Sequence, residues 1–144
     1  PLCRASYLDE TYDKQEMKRA EANDPEAISN IGWELYKEGD MDGAFQHFAK
    51  AAELGDSYSH YQIGVMYRQG LGVEKDEEKG IYHFEKAAIG GHRQARHHLA
   101  YYENEDGNIE RAAKHLTIAA NLGYEESMKV LWKHYSAGHI TRKP

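Results

Sequence analysis

Nine histidines and a single cysteine are the side chains of this 144-residue chain with the widest chemical reach. Structural zinc needs four N or S donors, and a helix offers two histidines together only at i and i+4. His47, His83 and His115 instead recur once per repeating unit, a whole helix pair apart, which marks them as packing residues. His97 and His98 are adjacent, so on a helix they point about 100° apart and cannot chelate together. His92 beside Arg93 and His134 beside Lys133 read as surface residues. A pH response through the seven histidines of residues 73–144 stays open. Gly70-x-Gly72 follows a helical rather than a strand pattern and lacks the third glycine of a phosphate-binding turn. Asp40-x-Asp42 and Glu103-x-Glu105-Asp106 lack the twelve-residue ligand pattern of a calcium loop and read as interhelical turns. No Gly-x-Ser-x-Gly, His-Glu-x-x-His or Walker sequence occurs, so hydrolase and nucleotidase readings have no support. No cofactor is expected.

The elements that must position these residues come from an internal repeat. Ala51-Ala52, Ala87-Ala88 and Ala119-Ala120 are each followed by Gly55, Gly91 and Gly123 and preceded by His47, His83 and His115. Phe48, Phe84 and Leu116 follow the histidines, and Ala44, Gly80 and Ala112 precede them by three residues. Upstream, Ala27, Ser59, Ala95 and Ser127 each lie four residues before Ile31, Ile63, Leu99 and Leu131. The next residue is Gly32, Gly64, Ala100 and then Trp132. Anchor spacings of 32, 36 and 32 residues place the extra length of the middle unit in the loop at 69–76.

Each unit reads as two antiparallel helices. First helices are expected at 25–37, 58–69, 93–104 and 125–136, and second helices at 42–54, 77–89 and 109–122. Asp24-Pro25, Asp56, Asp76 and Asn108 stand where N-caps are wanted, and Gly55, Gly91 and Gly123 where left-handed C-caps are wanted. A further charged helix is expected at 11–22, with Tyr12 and Met17 as its apolar residues. Small residues let helices of one hairpin approach, and large aromatics fill the space left. No hairpin can bury its apolar face alone, so the fold class is all-α, an α/α solenoid or superhelix of antiparallel helix pairs. The divisions are 1–8, a connecting helix at 9–23, repeats at 24–55, 56–91 and 92–123, and a half repeat or capping helix at 124–144. Trp132, in the small-residue position, is expected to plug the end of the stack.

Composition agrees. Prolines occur only at 1, 25 and 144, mean hydropathy is -0.86, and no apolar run approaches the ~20 residues of a membrane span. Residues 1–72 carry 7 basic and 13 acidic side chains, and residues 73–144 carry 11 of each, so no basic footprint for nucleic acid is present. A lone Cys3 makes no internal disulfide, which favours a reducing, cytoplasmic location.

The stretch Ile63-Gly64-Val65-Met66-Tyr67-Arg68-Gln69-Gly70-Leu71-Gly72-Val73-Glu74-Lys75-Asp76 resembles the first half of a Sel-1-like repeat. Residues 77–92, from Glu77 through Gly80, Phe84, Ala87-Ala88 and Gly91 to His92, resemble the second half. The flanking units lack the Gly-x-Gly-Val loop and carry Gly39-Asp40-Met41-Asp42-Gly43 and Asp106-Gly107-Asn108 instead. The resemblance spans residues 24–138 and implies a tetratricopeptide-like solenoid acting as a non-catalytic protein scaffold or adaptor. It carries no catalytic residue over.

Pro1-Leu2-Cys3-Arg4 resembles the end of a RING-type zinc finger, with Cys3 as its last zinc ligand. That implies a parent chain in which this solenoid is the substrate-recognition arm of a ubiquitin ligase. The fragment by itself would hold no metal. The first helices of such a superhelix line its concave side, so a protein or peptide partner is expected to meet Asn30, Trp33, Gln62, Met66, His98, Tyr101, Tyr102 and His134. A monomer with no nucleic-acid or membrane partner is expected. A stand-alone adaptor, a ligase arm and an enzyme with an enclosed, unrecognised site remain the three readings.

Overall fold

A computed structural model describes residues 14–141, so Tyr12, Cys3 with the rest of Pro1–Arg4, and the last three residues lie outside the described part. Eight helices follow one another, and no strand occurs among the described residues. They are α1 (Lys14–Glu21), α2 (Pro25–Lys37), α3 (Met41–Glu53), α4 (Ser57–Gln69), α5 (Glu77–Ile89), α6 (Arg93–Glu105), α7 (Ile109–Asn121) and α8 (Glu125–Ser136). Each second helix packs on the first helix of its own pair and on the first helix that follows, the connectivity of an α/α solenoid.

Local chemistry explains the boundaries. Before α2, the Asp24 carboxylate accepts the amides of Glu26 and Ala27 at 3.0 and 3.5 Å, and Pro25 opens the helix without losing a donor. Asp56 accepts the Ser59 amide at 2.8 Å and Asp76 the Lys79 amide at 3.1 Å. Asn108 differs from expectation: it makes no side-chain cap and donates to Glu103 at 3.0 Å instead. His92, expected at the surface, is a half-buried cap of α6 whose Nδ1 takes the Ala95 amide at 3.4 Å. Its ring stacks on Tyr61 at 4.3 Å. Gly55, Gly91 and Gly123 end their helices with φ of 93°, 87° and 83°, the left-handed region a side chain disfavours.

Small residues sit where helices meet. A Cβ added at Gly64 would lie 2.7 Å from the Phe84 ring, and one at Gly32 would lie 3.2 Å from Phe48. The longer 69–76 loop folds back on the stack, with Leu71 and Val73 against the first core cluster. A Cβ at Gly72 would meet the Met41 carbonyl at 2.6 Å, so this loop packs as a part of the fold. The core runs along the stack as three clusters, around Phe48, Phe84 and Leu116. α1 adds Met17 and Ala20 to the first, held by Arg19 bridging Glu16 and Asp24 at 3.1 and 2.8 Å. The plug expected of Trp132 is corrected: it is 70 % exposed and covers no core. No helix of the described residues is long and apolar enough to cross a membrane.

Candidate functional site

Successive first helices share one register, and that register decides which side chains reach solvent. One residue past the small position stand Trp33, Val65, Tyr101 and Lys133. Trp33 is 37 % exposed and lies flat on Tyr36 with ring centroids 5.3 Å apart. Tyr101 is 47 % exposed, and the Arg68 guanidinium from the neighbouring first helix lies 5.4 Å above its ring. Asn30 is exposed and donates to Glu16 at 2.7 Å.

One position further Met66 and Tyr102 turn inward, and together with Gln62 they correct three of the expected partner contacts. Met66 has no exposed surface and packs with Ile31, Leu35 and Ile63. Tyr102 is 7 % exposed in the Phe84 cluster, and its buried hydroxyl has no hydrogen-bond partner. Gln62 is also buried, its amide donating to the Tyr58 hydroxyl at 2.6 Å. A step of about 100° between neighbours on a helix separates the two sets.

His98 is half-buried and belongs to the floor of this surface. It stacks on Phe84 at 4.8 Å, with Arg68 3.1 Å from Nδ1 and the Tyr61 hydroxyl 3.4 Å from Nε2. A guanidinium can only donate, so Nδ1 accepts and the ring proton sits on Nε2. Burial first, and then the Arg68 charge, push its pKa down to about 4. His134 accepts from the Asn104 amide at 3.3 Å, and burial lowers its pKa too. Arg68 was missed by the sequence reading, because its register position holds Tyr36, Asn104 and Ser136 elsewhere and shows no pattern.

His47, His60, His83, His97 and His115 are partly buried and held by packing. His83 lies 3.0 Å from His60 through their Nδ1 atoms and stacks on Tyr67, and burial lowers its pKa to about 4. His115 meets Arg96 at 3.5 Å, and His47 meets the Gly43 carbonyl at 2.8 Å. Among the described residues no group of three or more His, Cys, Asp or Glu could hold a metal ion. One pair has the geometry of nucleophile activation: His97 Nδ1 lies 2.9 Å from the Ser127 hydroxyl. Ser127 has no exposed surface, so no substrate reaches that oxygen, and the bond ties α6 to α8.

The family model described as Sel1 repeat matches residues 25–56, 57–92 and 94–124. A crystal structure of a Sel1 repeat protein from Oxalobacter formigenes superposes with a TM-score of 0.80 at 33 % identity, covering 91 % of this chain and 57 % of that one. HcpC of Helicobacter pylori strain J99, whose name links it to beta-lactamases, is 39 % identical over 56 residues, which is 39 % of this chain and 19 % of HcpC. DAP3-binding cell death enhancer 1 of Rattus norvegicus is 33 % identical over 76 residues, 51 % of this chain and 15 % of that protein. The chain thus spans less than a fifth of the length of these two curated relatives.

Proposed function

The chain belongs to the Sel1-repeat family, whose members generally serve as protein-interaction scaffolds, and from that premise we propose that it binds a protein segment along its first-helix surface and catalyses nothing itself. The observation that carries this reading is the exposure of Trp33 and Tyr101 at the same register position of α2 and α6, with Arg68 of the intervening first helix α4 laid over Tyr101. Aromatic residues and arginine are what interfaces enrich, because they offer large contact area and directional donors on few rotatable bonds. The Ser127 hydroxyl that touches His97 is sealed from solvent, which leaves that pair no reach to a substrate. A location in the cytoplasm belongs to the same proposal, and its alternative is a place for the solenoid as the recognition arm of a RING-type ubiquitin ligase. The ligase reading rests on Pro1-Leu2-Cys3-Arg4.

A pull-down comparing the intact protein with a W33A/Y101A variant tests the surface. Trp33 and Tyr101 are 37 % and 47 % exposed and belong to no core cluster, so the variant should keep its helical circular dichroism and lose its bound partners. Equal recovery of every partner by both proteins would refute the strip as the binding site.

A further inference from the structure

Arg68 rises from α4, between the first helices α2 and α6, and among the described residues no carboxylate pairs with it. By contrast, Lys37 and Lys129 each reach a carboxylate three residues back, Glu34 at 2.6 Å and Glu126 at 2.8 Å. Arg93 and Arg96 donate to the carbonyl oxygens of Leu122 and Ala88 at 3.4 and 3.3 Å. Arg68 has Val65 three residues back, and what holds it is neutral. One guanidinium nitrogen lies 3.1 Å from Nδ1 of His98, and the group sits 5.4 Å over the Tyr101 ring.

The result is a donor fork set in place and left partly unused. A guanidinium carries several N–H groups, and His98 accepts from one of its nitrogens. The others face solvent, since the buried polar atoms without a partner among the described residues lie on Arg96, Tyr102 and Asn104. A segment laid along this surface covers Trp33 on α2 and Tyr101 on α6, and so covers Arg68 as well. Covering it with apolar groups alone would take an unpaired charge out of water, which is strongly unfavourable. The segment must bring an acceptor. Burial keeps His92, His97 and His98 uncharged near neutral pH, so Arg68 acts there as a single positive charge. A carboxylate matches that charge, whereas a phosphate carries nearly two. Position decides where the carboxylate comes from. Trp33 lies to one side of α4 and Tyr101 to the other, so a segment touching both runs past Arg68 in both directions. It meets the guanidinium with a side chain and not with its end.

We propose that the partner segment presents an internal Asp or Glu to Arg68, with apolar or aromatic residues on either side for Trp33 and Tyr101. This rests on the first-helix surface being the binding site. It makes Arg68 the residue that sets specificity. The free edge of its fork can meet both oxygens of a planar carboxylate, and a wholly apolar segment is rejected because it would bury the charge unpaired.

The probes are linear peptides selected from a random phage library on the immobilised full chain, then synthesised with a label for fluorescence anisotropy. They should share one Asp or Glu flanked by apolar residues. Exchanging that acid for its amide should weaken binding about tenfold or more. R68Q should weaken the acidic peptide by the same factor and leave the amide peptide unchanged, which also shows that the variant is folded. R68K should recover only part of the loss, because an ammonium is a point charge without the fork. Amidating the peptide C-terminus should change nothing. A selection that returns no binder or no shared acid, equal losses of both peptides in R68Q, tighter binding of a phosphoserine version, or dependence on a free C-terminus would each overturn the proposal. W33A/Y101A separates it from the reading beneath it. If that variant loses selected peptides that share no acid, the surface stands and the carboxylate falls. If it keeps every selected peptide, the surface falls and this proposal with it.

Discussion

Tyr101 and Tyr102 are neighbours with opposite surroundings, 47 % and 7 % exposed. Truncating Tyr102 to alanine removes a ring from the Phe84 cluster and should cost about 3–5 kcal/mol, whereas Y101A should stay within about 0.5 kcal/mol of the wild type. Y102F should stabilise by about 1 kcal/mol, because the buried hydroxyl it deletes has no partner. Urea titration reads all three, and a Y102F midpoint below wild type would show that the hydroxyl is satisfied after all. Burial also sets the response to acid. His83 and His98 are held down to about 4 from an ordinary 6.5, so the unfolded chain takes up protons where the folded chain does not. The stability tied to these rings is complete above pH 6.5 and drains away as the pH falls toward about 4. His60, His92, His97, His115 and His134 are lowered as well and act in the same direction. Thermal melts should therefore fall through that window, starting above the range where carboxylates titrate. An H83Q/H98Q variant should show a shallower fall, and a slope equal to wild type would remove these two rings from the account.

At the scale of the helix, notches rather than propensities decide. Gly→Ala inside a helix gains about 0.5–1 kcal/mol from chain entropy. At Gly64 the new methyl would stand 2.7 Å from a Phe84 ring that has no exposed surface and is pinned by His98 on its other side. Overpacking of that kind costs about 1–3 kcal/mol, so G64A should be net destabilising. At Gly32 the contact is 3.2 Å, and the two effects nearly cancel. Denaturant midpoints should rank G64A below G32A, and the reverse order would mean that Phe84 has room to move. These notches were legible in the sequence because they recur, as were the helix limits marked by the acidic caps Asp24, Asp56 and Asp76 and by the left-handed Gly55, Gly91 and Gly123. Arg68 and the inward turn of Met66 and Tyr102 were not legible. Sequence register places a residue on a helix face to within one neighbour, and here one neighbour separates solvent from core. Trp132 was misread for a related reason: its position faces a second helix, and no described residue supplies one there.

Across the whole molecule the core thins from one end to the other. The first cluster draws on four helices, α1 to α4, and the third joins only Ala100, Ala112 and Leu116 with partial help from Val130 and Leu131. In α8 the sole buried residue is Ser127, held by His97. A stack in which each pair touches only its neighbours behaves as a one-dimensional chain, and its ends open before its middle. The longer middle loop adds to the contrast by binding α4 back onto Met41 through Leu71 and Val73. Opening α8 exposes little apolar surface and breaks two part-buried hydrogen bonds, whereas opening α4 uncovers Ile63, Met66 and the seat of Phe84. A difference of about 1.4 kcal/mol in opening energy is a tenfold difference in exchange, and the burial contrast exceeds that. Native-state hydrogen exchange should therefore find amides of α8 exchanging at least about tenfold faster than those of α4 and α5, with α6 and α7 between. S127A should widen the gap, since it leaves His97 without its partner and touches nothing in the first cluster. Uniform protection from α2 to α8 would mean instead that the stack opens as one unit.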